Sequence, residues 1–186
     1  MANLILKEIN QNFPDLDKVY ELNNRAFPKE ERIENEKLLT IIERCNAKAL
    51  AIYDQDLFVG FVIGAYSSKY EIYYIWFFAI EESLRSQGYG TKALQAIAQR
   101  HEKAQMVIEI EVLDPESENY EERLRRYAFY QRSGFEKSNW SVAYFGAEFQ
   151  IITRPAPFRK EDYETFWNEL WQTKAPKLYP LKDFSK

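Results

Sequence analysis

Arg85-Ser86-Gln87-Gly88-Tyr89-Gly90-Thr91 has the makings of an anion site. An apolar run ending at Ile80 leads into it, and a helical pattern follows it. The first N–H groups of a helix have no internal partner, and the helix dipole adds partial positive charge there. Gly88 and Gly90 let the backbone approach phosphate oxygens closely and take conformations costly for other residues. Arg85 supplies a cation with paired N–H groups, and the hydroxyls of Ser86 and Thr91 are further donors. Two nearby glycines alone also describe an ordinary polar turn. The Arg-x-x-Gly-x-Gly spacing, with a strand before and a helix after, is what separates this loop from one.

The same residues, Gly88-Tyr89-Gly90-Thr91-Lys92-Ala93, also satisfy the dinucleotide pattern G-x-G-x-x-A, with Glu109 or Glu111 about 20 residues on. In that fold the glycines follow the first strand almost directly. Here Glu81 to Gln87 intervene and an antiparallel hairpin is expected upstream, and both count against the dinucleotide reading. No G-x-x-x-x-G-K-[ST] run exists, which excludes a nucleotide-hydrolysing P-loop.

Other residues able to do chemistry are few. His101, the single histidine, lies far along the helix after the glycines and reads as a surface residue. Cys45 sits among Glu43 and Arg44, a poor setting for a nucleophile. Glu109 and Glu111 alternate with Ile108, Ile110 and Val112, so both carboxylates share one side of a strand. A solvated strand face explains that spacing as readily as a substrate site does. Tyr130 lies three residues past core-type Tyr127, which by spacing alone places it on the edge of an amphipathic helix.

These residues need elements to hold them. Asn3–Ile9 reads as a strand, and Leu16, Val19, Tyr20 and Phe27 fall at helical spacing before Pro28. A second helix is expected over Ile33–Cys45. Ala47–Tyr53 and Leu57–Tyr66 flank the polar turn Asp54-Gln55-Asp56 and predict an antiparallel hairpin. Tyr70–Ile80 is a third strand, apolar enough for burial on both faces. Its Tyr73, Tyr74, Trp76, Phe77 and Phe78 are core residues, with Tyr74 and Trp76 the alternating pair able to line a cleft instead.

Leu94, Ile97 and Ala98 mark the helix that follows the glycines, and Met106–Leu113 is the next strand. A helix over Tyr120–Arg132 carries Leu124, Tyr127 and Ala128 on its apolar side. Its outer pairs Glu121–Arg125 and Glu122–Arg126 have the favourable order. Phe135–Thr153 predicts two strands turning near Gly146. After Arg154-Pro155-Ala156-Pro157, residues Tyr163, Phe166, Trp167, Leu170 and Trp171 form one helical apolar stripe. This order predicts an α/β (α+β) mixed sheet, not a regular doubly wound repeat.

The 186 residues suit one domain with an appended tail, here 1–154 and 155–186. The tail helix reads as packed on the domain or as a dimer interface. A net charge of −4 argues against nucleic acid and anionic membrane as partners. With one cysteine there is no intrachain disulfide and no multi-thiolate metal site, and no metal is expected. Neither a signal peptide nor a membrane-length apolar run is evident, so a cytoplasmic location is expected.

Arg85-Ser86-Gln87-Gly88-Tyr89-Gly90 matches [RQ]-x-x-G-x-[GA], and Tyr130-Gln131-Arg132-Ser133-Gly134-Phe135, about 40 residues on, ends a helix as Y-x-x-x-G-F. With these two motifs the chain resembles the GNAT superfamily of N-acetyltransferases. The resemblance implies a mostly antiparallel sheet of about six to seven strands with one splayed parallel pair, helices on both faces and an extra C-terminal helix. It implies acetyl-CoA as co-substrate and a small-molecule or peptide amine as acceptor, with acetyl passing directly in a ternary complex. A coenzyme-binding module of the same fold without transferase activity is the rival reading.

Residue by residue, the resemblance implies that main-chain groups near Phe78 and Ile80 pair with the pantetheine arm. Gln87 to Thr91 would hold the pyrophosphate, with Arg85 and Ser86 beside them. Tyr130 matches the tyrosine that protonates the departing thiolate. Upstream of it, Arg123 and Arg126 stand where many members have N-x-x-A. An amine nucleophile must also lose a proton, for which Glu111 is the first candidate, and Glu109, Glu71 or water the others.

Overall fold

The structure is a computed structural model that describes residues 4–29, 31–144, 147–171 and 177–180. Among the described residues eight strands form one sheet in the order β1-β2-β3-β4-β5-β7-β6-β8, mostly antiparallel with one parallel pair. The chain divides into two compact units, Met1–Tyr66 with Ile75–Glu102, and Ser67–Tyr74 with Lys103–Lys186. The C-terminal helix falls in the second of these units, with the later strands.

The first unit holds β1 (Ile5–Glu8), α1 (Leu16–Ala26), α2 (Asn35–Arg44), β2 (Lys48–Asp54) and β3 (Leu57–Ser67). It also holds the latter part of β4 (Ile72–Ile80) and all of α3 (Tyr89–Arg100). β2 and β3 pair antiparallel through a two-residue turn with Asp54 opposite Leu57. Gln55 takes the left-handed conformation there, at φ 55°.

Alternation along these strands sorts side chains onto two faces. Ala49, Ala51, Tyr53, Phe61, Ile63, Phe77 and Ala79 pack with Val19 and Leu22 of α1 and Leu38 and Ile42 of α2. Ile52, Val59 and Ile80 pack on Ala93 of α3. Each fully buried Val, Leu, Ile or Phe side chain among these contributes about 2 kcal/mol. Gly60 of β3 is needed for a close approach, since a Cβ there would lie 2.1 Å from the Ala79 carbonyl oxygen.

The second unit holds the start of β4, then β5 (Gln105–Glu111), α4 (Tyr120–Arg132), β6 (Glu136–Tyr144) and β7 (Ala147–Arg154). α5 (Lys160–Trp171) and β8 (Leu178–Pro180) complete it. β7 pairs antiparallel with both β5 and β6, and β6 with β8. The turn expected near Gly146 lies outside the described residues.

Gln105 anchors the segment before α5. Its Nε2 donates to the carbonyls of Pro155 and Pro157, each at 2.7 Å, and its Oε1 accepts from the Arg159 N–H. Within this unit α5 buries Tyr163 completely and Phe166 nearly so, while Trp167, Leu170 and Trp171 of its apolar stripe are half-buried.

Three features depart from the expectations. β8 takes the strand number to eight rather than six or seven. Among the buried residues of α4 is Tyr130, while Leu124, Tyr127 and Ala128 remain half-buried. The charged segment before the glycine loop contains a 3-10 turn, Glu82–Leu84.

Candidate functional site

In the first unit, the loop and α3 hold the residues from which an anion site is expected. Arg85 is extended, while Ser86 and Gly88 both take left-handed conformations, at φ 62° and 82°. Left-handed residues among right-handed or extended ones turn successive N–H groups toward a common side. Gly88 is the N-cap of α3. A Cβ at Gly88 would meet no atom within 4 Å, so glycine supplies conformation at this position rather than space. Ser86 holds the same conformation without being glycine, a cost characteristic of functional loops.

The charges favour an anion here. α1, α2, α4 and α5 each carry Asp or Glu in the first turn, whereas α3 carries none. Its positive dipole end is therefore uncompensated by its own residues. Lys92 lies over the Tyr89 ring at 5.2 Å, one turn along. The Tyr89 hydroxyl donates to Asp54 at 3.0 Å, fixing the start of α3 to the β2–β3 turn.

Arg85 Nε donates to the Ile80 carbonyl at 3.3 Å, and Gln87 Nε2 donates to the Ser83 carbonyl at 2.8 Å. Arg85 thus braces the end of β4, and the Ile80 carbonyl expected to meet a coenzyme arm already accepts one hydrogen bond. Phe78 is half-buried on β4, and Thr91 stands in the first turn of α3.

In the second unit, β5 and α4 hold the remaining predicted residues. Tyr130 is 7% exposed, with the rings of Phe129 and Phe135 at 4.9 and 5.6 Å. Burial pushes its phenol up to about 12, and the positive charge of Arg126 pulls the other way.

Glu111 is held by cations. Its Oε2 accepts from Arg126 at 2.7 Å, and its Oε1 lies 3.0 Å from Arg123 Nη2 and accepts from Asn119 at 3.2 Å. Arg123 is itself fixed, donating to Asn119 Oδ1 at 2.7 Å and to the Val112 carbonyl at 2.9 Å. The two arginines standing in place of N-x-x-A therefore converge on Glu111. A carboxylate engaged on both oxygens is better suited to positioning than to accepting a proton.

The neighbouring Glu109 accepts from the Tyr74 hydroxyl at 3.2 Å and from the Tyr163 hydroxyl of α5. Tyr74 is buried rather than lining an open cleft. The sequence marks Tyr163 only as apolar, and nothing in its spacing announces the hydrogen bond. Asn119 was likewise missed, since it lies in the loop before α4. Glu71, another candidate base, takes φ 50°, and its carbonyl accepts from Gln105 N at 2.7 Å and Arg159 Nη2 at 2.6 Å.

His101 caps α3 at its C-terminus and packs against Tyr66 in a tilted arrangement, ring centroids 4.5 Å apart; burial and then Arg100 hold its pKa below the ordinary value. Burial pushes the Cys45 thiol up, which disfavours a thiolate. Among the described residues no group of three or more His, Cys, Asp or Glu is placed to hold a metal ion. No described helix is long and apolar enough to cross a membrane.

Residues 16–135, spanning both the glycine loop and Tyr130, match the model of the acetyltransferase (GNAT) family. The chain belongs to that family. A solved GNAT-family protein of Bacteroides thetaiotaomicron is 28% identical, with TM-score 0.71 over 89% of this chain and 95% of its own. An aminoglycoside 6'-N-acetyltransferase solved with coenzyme A is 17% identical, with TM-score 0.59 over 83% and 99%. The ribosomal-protein-S18-alanine N-acetyltransferase of Escherichia coli is 16% identical, with TM-score 0.58 over 83% and 99%. At those identities the last two speak for the fold alone. No curated protein sequence matches the chain.

Within this GNAT chain the family match ends at Phe135, so β6, β7, α5 and β8 lie beyond it. Those later elements include α5, whose Tyr163 meets Glu109.

Proposed function

We propose that this GNAT protein is an acetyl-CoA-dependent N-acetyltransferase that passes acetyl to a primary amine by direct transfer in a ternary complex. The observation that carries the reading is the loop before α3. It joins left-handed Ser86 and Gly88 to a helix start without an acidic residue, inside the family match. That donor set suits a pyrophosphate. Gln87 to Thr91 would hold it, Arg85 would brace the adjoining end of β4, and main-chain groups near Phe78 and Ile80 would pair with the pantetheine arm.

In the chemical step a neutral amine attacks the thioester carbonyl, and the carbon–sulfur bond of the tetrahedral adduct then breaks. Tyr130 gives its phenolic proton to the departing thiolate. The proton shed by the amine leaves through water, because Glu111 and Glu109 are both engaged as acceptors. On this reading Glu111 acts as an anchor for α4 and not as the base. The neighbours whose names specify an aminoglycoside, a ribosomal-protein alanine and spermidine support an amine as acceptor.

The test is initial-rate kinetics of thiol release with acetyl-CoA and amine both varied. Double-reciprocal lines that intersect support direct transfer. Parallel lines would mean an acetyl-enzyme intermediate and contradict it.

A further inference from the structure

Arg126 and Tyr130 are one helical turn apart on α4, on the same face. Arg126 is not free to swing away. Its Nη1 donates to Glu111 Oε2 at 2.7 Å, and its Nη2 donates to Glu122 Oε1 at 3.0 Å. Arg123 and Asn119 take the other oxygen of Glu111, so one carboxylate on β5 faces two guanidinium groups. At the C-terminal end of α4, Arg154 of β7 donates from Nη1 to the Ser133 carbonyl at 2.8 Å, Arg132 stands in the last turn, and Glu136 and Lys137 lie by Tyr127. Of these charges, that of Arg126 acts on the buried phenol and favours its ionised form.

We infer that Arg126 is a positioning residue for Tyr130, its guanidinium clamped by Glu111 so that a fixed positive charge stabilises the phenolate formed during acetyl transfer. The inference rests on the reading of Tyr130 as the acid. A phenol packed between Phe129 and Phe135 loses water on ionising, which makes it a reluctant proton donor. A nearby cation offsets that reluctance, and the low local dielectric strengthens the effect. As the carbon–sulfur bond breaks, the phenolic proton passes to sulfur and leaves a phenolate facing Arg126. The phenolate then regains a proton, through water, from the nitrogen that attacked. Atoms and charge balance without a further reactant. The sequence placed Arg126 on the outer side of its helix; the contact with Glu111 is what turns it into part of the site.

The test reads ionisation directly. Protein labelled with 3-fluorotyrosine gives a fluorine resonance for Tyr130, assigned as the signal lost in Tyr130→Phe, and this is followed against pH by NMR. Arg126→Met keeps the apolar stem and removes the charge, and should raise the Tyr130 midpoint by about one pH unit, while Arg126→Lys stays close to the parent. An unchanged midpoint in Arg126→Met overturns the inference.

Turnover gives a second reading. Arg126→Met should lower kcat about tenfold with little change in KM for acetyl-CoA, and that loss should vanish in a Tyr130→Phe background. A loss that persists there marks a structural role only and also overturns the inference. Full thiol release by Tyr130→Phe would instead remove the acid reading itself, a failure visible without any Arg126 variant.

Discussion

The hydroxyl of Tyr89 donates to Asp54 at 3.0 Å, so the first residue of α3 is tied to the β2–β3 turn. This bond sets where the first-turn N–H groups of the helix point. Tyr89→Phe should weaken acetyl-CoA binding several-fold, the loss expected for about 1 kcal/mol, while leaving the fold intact. Calorimetric titration with acetyl-CoA checks it.

Gly88 should tolerate substitution poorly for a different reason. A side chain has space there but not the conformation, and a left-handed residue costs about 1–2 kcal/mol. Gly88→Ala should lower coenzyme affinity about tenfold. An unchanged dissociation constant would show that φ at Gly88 does not shape the site.

Tyr130→Phe removes one oxygen from a buried ring and keeps its packing. As the proton donor, Tyr130 should be worth about 100-fold in kcat, with KM for acetyl-CoA nearly unchanged. Thiol-release kinetics separate the two parameters.

Glu111→Gln should act on stability first. It removes the charge that Arg123 and Arg126 share, leaving Arg126 only its pair with Glu122, at a cost of about 2 kcal/mol. Urea unfolding measures this directly. Parent-like stability would show that the two arginines do not depend on Glu111.

Acid should loosen α1. Tyr53 donates to the Asp15 carboxylate at 2.5 Å, and this bond, then Lys18, holds the Asp15 pKa below 3.8. A depressed carboxylate pKa contributes stability above the unfolded value that is lost as pH falls through the folded one. Tyr53→Phe should therefore destabilise the protein most above pH 4 and least in stronger acid. Unfolding midpoints taken across that range would show the convergence.

Much of this molecule was legible in its sequence because period and punctuation agree. The hairpin around Asp54-Gln55-Asp56 and the buried stripe of α3 follow alternation and helical spacing directly. The left-handed turn at Gly88 and the helix that follows it were legible for the same reason. β8 was not, since three residues with a proline carry no strand signal and survive only as an edge beside β6. The state of Glu111 was equally hidden. Strand alternation shows which side it occupies, but only the fold brings Arg123, Arg126 and Asn119 onto it. Tyr163 reads as one more apolar position until its hydroxyl meets Glu109.

The central claim is that this GNAT chain moves acetyl from coenzyme A to an amine. Its most direct measurement is release of coenzyme A thiol from acetyl-CoA by the purified protein, with and without spermidine, an aminoglycoside and a peptide with an N-terminal alanine. Release that depends on at least one amine, with an equal amount of its N-acetyl product, is the predicted result. Tight acetyl-CoA binding with no amine-dependent release would contradict it and mark the chain as a coenzyme-binding module.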